Sequence, residues 1–276
     1  MALANIGEAL QVARGRIPAS EARLLLGKLL GCSTAQIAAY PERGLAESTA
    51  ARFADLLERR AAGEPVAYLL GLREFFGRDF QVTPAVLIPR PETELIVELV
   101  LGRVAEGAAP KLLDLGTGSG ALAVTLALEL QLARVMAVDV SAAALEVAAQ
   151  NAETLGARVC FIESDWFAAV EETGFDFIVS NPPYIAAGDP HLAEGDVRFE
   201  PAGALASGVA GLDDLARITA TAPAFLVPGG WLMMEHGYDQ AAAVRGLLRE
   251  AGFDSVTSAQ DLAGIERVSL GCWPRS

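Results

Sequence analysis

The chain has 276 residues, with 21 Lys and Arg against 35 Asp and Glu, a formal net charge of −14. Apolar residues make up 52% of it, enough to fill a core, so whole-chain disorder is excluded. The acid surplus argues against a protein that grips nucleic acid by neutralising phosphates, and the length suits either one large α/β domain or a core domain plus a small appendage.

From Ala4 to about Leu72 the pattern is helical. Ser20 is placed to cap a helix over Glu21–Leu30, with Leu24, Leu25, Leu29 and Leu30 as its apolar stripe and Gly31 as its stop. Ser33 or Thr34 can cap a short helix that ends before Pro41. A longer one over Ser48–Ala62 sets Phe53, Leu56 and Leu57 on one face. These helices form a compact domain over 1–72. Arg73–Val82 predicts a β-hairpin with Gly77 in its turn, and Pro84, Pro89 and Pro91 stiffen the connection into a helix over Glu92–Val104. The segment 73–90 is therefore hairpin and linker, and 91–276 forms the second domain.

From Lys111 strands and helices alternate. Apolar runs of strand length lie at Lys111–Leu115, Arg134–Val138, Arg158–Ile162, Phe175–Ser180 and Trp231–Glu235, with helices at Gly120–Leu130, Ser141–Leu155 and Gln240–Ala251. Strands apolar along their whole length, with helices between, predict a parallel sheet covered on both faces. Phe253–Ser258 and Arg267–Gly271 predict an antiparallel hairpin at one edge. The expected fold class is α/β: a doubly wound, mostly parallel, seven-stranded Rossmann-like sheet with a small helical N-terminal domain and a linking β-hairpin.

Several classes of function drop out. No uninterrupted apolar run reaches the roughly 18 residues that cross a membrane, and no cationic lead into an apolar segment marks a signal peptide. Cys32, Cys160 and Cys272 are odd in number and far apart, which predicts no disulfide framework and a cytoplasmic setting. With only His191 and His236 available, no zinc site is expected, and no Ser-His-Asp hydrolase.

Asp114-Leu115-Gly116-Thr117-Gly118-Ser119-Gly120 follows the first strand of the sheet and opens a helix. Glycines there let the backbone approach a ligand where a Cβ would collide. Asp139 ends the next strand, where a carboxylate can accept both ribose hydroxyls of an adenosine. The G-x-G-x-G spacing departs from the dinucleotide fingerprint and lacks the Lys of a P-loop. A third signal, Ser164-Asp165-Trp166-Phe167, follows the third strand. Asp165 can accept from an adenine amine with Trp166 packed on the purine face; equally, Asp165 can cap a helix with Trp166 in the core.

Ser180-Asn181-Pro182-Pro183-Tyr184 ends the fourth strand. Two prolines forbid helix and ladder, leaving a rigid extended corner. The Asn181 amide oxygen and the Pro182 carbonyl make two acceptors, which suit the two hydrogens of a substrate –NH₂, and Tyr184 offers a flat stacking face. An amide or exocyclic nitrogen is a poor nucleophile because its lone pair is delocalised. Binding both hydrogens frees that pair, and the acceptors stabilise the positive nitrogen of the transition state more than the ground state. No general base is needed before transfer.

Together these segments resemble the Rossmann-like S-adenosylmethionine-dependent methyltransferases that carry an N-P-P-Y motif. Leu87-Ile88-Pro89-Arg90-Pro91-Glu92-Thr93-Glu94, Asp189-Pro190-His191-Leu192, Gly195–Pro201, Glu235-His236-Gly237, Gly63-Glu64-Pro65 and Arg73-Glu74-Phe75 narrow the resemblance to the release-factor glutamine methyltransferases. The resemblance implies S-adenosylmethionine as methyl donor, S-adenosylhomocysteine as product, and the Gly-Gly-Gln glutamine of bacterial class-I release factors as substrate. Carried over by position, Gly116, Thr117, Gly118, Ser119, Gly120, Asp139, Asp165, Trp166 and Asn181 would bind the cofactor. Asn181, Pro182, Pro183 and Tyr184 would hold the glutamine, with Asn181, Pro182 and Tyr184 catalytic. It further implies that the helical domain recognises the release factor, and the chain is expected to act as a monomer without nucleic acid or membrane.

Two other readings compete. The same corner can hold an exocyclic base amine of DNA or RNA, against which the charge of −14 weighs. A third reading is a non-catalytic adenosine-binding module or a nicotinamide oxidoreductase, the latter disfavoured by the glycine spacing and the lack of a proton-transfer dyad. The roles of Arg90 (site wall or linker ion pair), His191, Arg198 and His236 stay open at this stage.

Overall fold

A computed structural model describes residues 3–275. Contacts divide the chain into two compact units, residues 1–72 with Gly195–Phe199, and Arg73–Glu194 with Glu200–Ser276.

The first unit is helical. Asn5 caps α1 (Ile6–Ala13) by accepting from the Glu8 N–H. α2 (Ala19–Leu30) starts ahead of the expected Ser20 cap, because Pro18 already fixes the entry backbone at φ −55° and no side chain caps it. Gly31 ends it at φ +63°, as its sequence position predicts. The buried stripe runs Ala22, Leu25, Leu26; Leu24, expected in it, is out of phase with the 3.6-residue period and stands exposed. Ser33 forms a capping box with Gln36 at the head of α3 (Thr34–Ala39). With α4 (Glu47–Ala61) and α5 (Val66–Leu70), these helices enclose Ile6, Leu25, Leu26, Ile37, Phe53 and Leu57. Burying each such side chain stabilises the unit by about 2 kcal/mol. The segment Gly195–Phe199 joins this unit through Asp196, paired with Arg60 at 3.1 Å, and Arg198, which donates to the Ala62 carbonyl at 2.6 Å.

A two-stranded hairpin comes next, β1 (Leu72–Phe75), whose residues from Arg73 on belong to the second unit, and β2 (Arg78–Gln81). Its turn is Phe76-Gly77, with φ of +51° and +74°, whose handedness matches the strand twist. The helix expected over Glu92–Val104 is shorter: Pro91–Thr93 makes a 3-10 turn, then α6 (Glu94–Leu101) runs to Gly102. There follow β3 (Lys111–Leu115), α7 (Ala121–Glu129), β4 (Arg134–Asp139), α8 (Ala142–Leu155), β5 (Val159–Glu163), β6 (Phe175–Ser180), α9 (Asp213–Thr221), β7 (Leu226–Glu235), α10 (Ala241–Glu250), β8 (Asp254–Gln260) and β9 (Glu266–Cys272). The sheet order is β5-β4-β3-β6-β7-β9-β8, parallel from β5 to β7, with β9 antiparallel to both its neighbours. The doubly wound, mostly parallel, seven-stranded α/β class is therefore observed.

Residues along each central strand alternate between the two faces. Leu112, Ala137, Phe177 and Met233 join one core, while Leu113, Met136, Ile178 and Leu232 join the other. β7 starts five residues before the expected Trp231. Leu226 pairs with Phe175, then Pro228-Gly229-Gly230 bulges out before Trp231 meets Phe177, which hides the strand's start from an apolar-run reading. Among the described residues no helix is long and apolar enough to cross a membrane.

Asn151 on α8 ties the hairpin to the sheet. Its Oδ1 accepts from the Gln81 N–H at 2.7 Å, and its Nδ2 donates to the carbonyls of Gln81 and Ser119. Asn151 is 2% exposed, so its removal would strand three backbone groups. Asn151→Ala is expected to destabilise the protein by about 1–3 kcal/mol, read as a lowered urea midpoint; an unchanged midpoint would contradict this tie.

Candidate active site

The carboxyl ends of four neighbouring strands stand in line. Leu115 pairs with Val138 on β4 and with Ser180 on β6, and Ser180 pairs with Met234 on β7. The next residue on each strand is Gly116, Asp139, Asn181 and Glu235, so register alone brings the glycine loop, the acid and the N-P-P-Y corner to one edge.

The loop is held by its own backbone and by two carboxylates. The N–H groups of Gly116 and Thr117 both donate to the Val138 carbonyl at 2.9 Å. Gly118 N–H donates to Asp139 Oδ2 at 2.8 Å, and Ser141 N–H to Oδ1 at 2.9 Å. Thr117 Oγ1 donates to Asp114 Oδ2 at 2.7 Å. Gly116 sits at φ +72°, where a Cβ would stand 3.2 Å from the Trp166 ring; at Gly120, φ +81°, it would stand 3.1 Å from Ala148 Cβ. Glycine is required at both for conformation and for space.

A cavity of about 310 Å³ opens here, lined by Gly116, Gly118, Asp139, Trp166, Asn181 and Pro183 among others. Asp165 also lines it, while Thr117 and Ser119 are buried beneath the loop and neither Pro182 nor Tyr184 reaches its wall. Trp166 adopts φ +52°, and its indole N–H donates to Asp214 Oδ1 at 3.0 Å, which fixes the ring. Asp165 starts no helix; Arg217 holds its carboxylate through two bonds of 2.8 Å. Trp166 is half-buried at the cavity rather than enclosed in the core.

These features fit an adenosine-type cofactor. The volume is that of a small-molecule pocket, and the wall mixes apolar surface with polar groups that include Asp139, Asp165, Asn181 and Asp214. Each Asp139 oxygen accepts one backbone N–H and keeps a lone pair, so two hydroxyls can be accepted side by side. A flat indole and the apolar Ala85, Val86 and Leu87 supply surfaces for a purine.

At the corner, Asn181 Nδ2 donates to Thr93 Oγ1 at 3.1 Å, and Thr93 Oγ1 donates to Glu235 Oε2 at 2.6 Å. The Tyr184 hydroxyl donates to the other oxygen, Glu235 Oε1, at 3.1 Å, and Gln240 Nε2 donates to the Tyr184 carbonyl at 2.9 Å. No hydrogen bond from the described residues reaches Asn181 Oδ1, so that end of the amide stays available. Glu235 is 1% exposed; burial pushes its carboxyl up to about 7, against the pull of the Thr93 and Tyr184 bonds. Burial beside Glu235 likewise raises the Tyr184 phenol.

The remaining candidates find structural partners. Arg90 is ion-paired at 2.5 Å with Glu200, whose side chain is fully buried and also accepts from the Ile88 N–H. Arg198 packs in the helical unit, 5.0 Å over the Phe199 ring. His191 is exposed and bonded to Asp189 at 2.7 Å. His236 is buried between the Gly237 carbonyl and Ser269 Oγ, and burial lowers its pKa, which keeps it neutral. Among the described residues no cluster of His, Cys, Asp or Glu could hold a metal ion.

Sequence reasoning missed Thr93 and Glu235 as members of the site. A usable signal was present: Glu235 ends the apolar strand Trp231–Met234 just as Asp139 ends β4. Asp114 is a second buried acid, with Oδ1 unbonded and its carboxyl raised by burial from 3.8 to about 7. A carboxyl whose pKa is higher folded than unfolded contributes full stability below the unfolded value, and that contribution is lost as pH rises through the folded one. Stability is therefore expected to fall between about pH 4 and pH 7, and Asp114→Asn to flatten part of that fall. Denaturant unfolding at a series of pH values checks this, and an unaltered slope would contradict it.

Comparison with known proteins bears on the whole chain. Residues 93–199 match the family model described as "Methyltransferase small domain", and residues 1–71 match "PrmC N-terminal domain". The chain is 54% identical to the release factor glutamine methyltransferase of Burkholderia pseudomallei over 94% of its own length and 93% of that protein. It is also 54% identical to the protein of the same name from Bordetella pertussis, over 92% of this chain and 95% of the relative. Among solved structures, the T. thermophilus 16S rRNA N2 G1207 methyltransferase in complex with AdoMet and guanosine superposes with a TM-score of 0.53 at 25% identity, covering 73% of this chain and 49% of that one. With near-complete coverage at such identity, and with the glycine loop, Asp139 and the Asn-Pro-Pro-Tyr corner gathered at one sheet edge, this chain belongs to the release factor glutamine methyltransferase family.

Proposed function

We propose that this chain methylates the side-chain amide nitrogen (N5) of the glutamine in the Gly-Gly-Gln loop of class-I peptide-chain release factors, supporting translation termination. The observation that carries this reading is the Asn181 amide, tied by Nδ2 to Thr93 with Oδ1 left available beside the cavity. When bound, S-adenosylmethionine supplies a methyl group activated by a sulfonium and departs as S-adenosylhomocysteine.

The chain's own residues do the rest. Gly116 and Gly118 let the loop approach the cofactor, while Thr117, Ser119 and Gly120 hold the loop's shape. Asp139 accepts its hydroxyls, with Trp166 and Asp165 beside the purine. Asn181 Oδ1 and the Pro182 carbonyl accept the two hydrogens of the glutamine –NH₂, and Pro183 and Tyr184 bound the flat carboxamide. As the nitrogen bonds to carbon it gains positive charge, which those two acceptor dipoles stabilise. The proton is released afterwards, so no residue need act as base beforehand.

The helical unit is the part proposed to recognise the release factor. The enzyme is further proposed to work in the cytoplasm, as a monomer and without direct nucleic-acid contact; the charge of −14 and the lack of a basic run support the last of these. One observation favours a second reading: the similar rRNA methyltransferase was solved with guanosine, a ligand with an exocyclic amine. Transfer of labelled methyl groups across purified release factor, ribosomal RNA and DNA separates the two, followed by mass spectrometry of the Gly-Gly-Gln peptide. One added methyl on that glutamine is expected; label in nucleic acid with an unmodified glutamine would overturn the proposal. Asn181→Ala is expected to lower kcat by about 10²–10³-fold while cofactor affinity, measured by calorimetry, changes far less. Equal loss of both would contradict the role given to Oδ1.

A further inference from the structure

We infer that Thr93 and Glu235 decide which end of the Asn181 amide faces the substrate, a positioning role that rests on the function proposed above. Once Glu235 is ionised, at pH above about 7, its carboxylate only accepts hydrogen bonds, so the Thr93 hydroxyl then commits its single proton to Oε2 at 2.6 Å. Thr93 Oγ1 then presents lone pairs alone, and whatever meets it must donate. The group that meets it is Asn181 Nδ2, at 3.1 Å.

Turning the amide over would set Asn181 Oδ1 against those lone pairs, two acceptors with no proton between them. The relay therefore keeps Oδ1 on the free side, which is the end that a substrate –NH₂ requires. Polarity runs one way along it, from an anion through a hydroxyl to an amide, and reversing any member reverses the last.

The second oxygen of the same carboxylate takes the Tyr184 hydroxyl at 3.1 Å. Both ends of the corner, Asn181 and Tyr184, thus hang on one buried acid that belongs to a different strand. Charged groups also act on Glu235 from two other elements: Glu92, from the turn before α6, opposes its ionisation, and Arg267, from β9, favours it. Neither Thr93 nor Glu235 lines the cavity, so they act on the substrate only through the corner.

Two substitutions at one position separate polarity from packing. Thr93→Val keeps the shape and removes the hydroxyl; Thr93→Ser keeps the hydroxyl and removes a methyl. At a pH that ionises Glu235, the inference expects Thr93→Val to lower kcat by about tenfold or more with cofactor affinity near that of the wild type, and to lower the melting temperature, because the buried Glu235 carboxylate and the Asn181 amide each lose a partner. Thr93→Ser should keep most of the wild-type kcat. A packing role gives the opposite order, so an unimpaired Thr93→Val, or equal losses in both variants, would overturn the inference.

A second readout needs no turnover. By nuclear magnetic resonance on the isotope-labelled full chain, one Asn181 side-chain amide proton should exchange slowly with solvent in the wild type and in Thr93→Ser, and rapidly in Thr93→Val. Rapid exchange of both protons in the wild type overturns the relay, whether or not a variant folds. A wild type that leaves release factor unmethylated would defeat the substrate assignment instead, and the exchange measurement would still decide the orientation of the amide.

Discussion

The register that pairs Leu115 with Val138 on one side and with Ser180 on the other is the constraint on which the site depends. Parallel strands hydrogen-bonded in this way end together, so the residues that follow them are neighbours whatever their side chains. Gly116, Asp139, Asn181 and Glu235 come from positions as much as 119 residues apart, since 235 − 116 = 119, yet lie on adjacent strands. The apolar side chains inside the sheet enforce that alignment. A slip of one residue in β6 would move Ile178 and Val179 to the opposite faces and break both cores together with the corner.

Once placed, the groups are made rigid by bonds that leave specific atoms over. Asp139 gives each oxygen to one backbone N–H, which fixes the carboxylate and retains its capacity to accept. Arg217 fixes Asp165, and Asp214 fixes the Trp166 indole. Glu235 fixes both ends of the corner through hydroxyl groups. Preorganisation of this kind suits a reaction whose protein contribution is orientation and dipoles, with little proton transfer. Deep burial of two acids, Asp114 and Glu235, costs folding stability near neutral pH, which is the expected exchange between a poised site and a stable fold.

Much of the fold was legible because its signals are local. The apolar runs of β3 and β6 matched the expected bounds, and Gly31 and Ser33 mark helix ends by chemistry that acts over a few residues. Where the reading differed, a neighbouring feature overrode the local one. Pro18 displaced Ser20 as the entry to α2, and Pro228-Gly229-Gly230 hid the first part of β7 behind a bulge. α9, Asp213–Thr221, was not anticipated; it lies between Gly211 and Pro223 with a short apolar pattern. The site was legible where it consists of loops at strand ends. Thr93 and Glu235 were not, because their meaning comes from meeting Asn181 across 88 and 54 residues of chain, 181 − 93 and 235 − 181. Nor did spacing show that Glu200 would take Arg90, or that residues 195–199 would pack with the helical unit.

The central claim is geometric: a rigid corner grips an uncharged carboxamide by both hydrogens of its nitrogen. A crystal structure of the full chain with S-adenosylhomocysteine and a Gly-Gly-Gln peptide tests it most directly. The account predicts the glutamine nitrogen within about 3 Å of both Asn181 Oδ1 and the Pro182 carbonyl, with its free side toward the cofactor sulfur. A glutamine bound with its carbonyl oxygen at those two acceptors, or with its nitrogen turned from the sulfur, would contradict it.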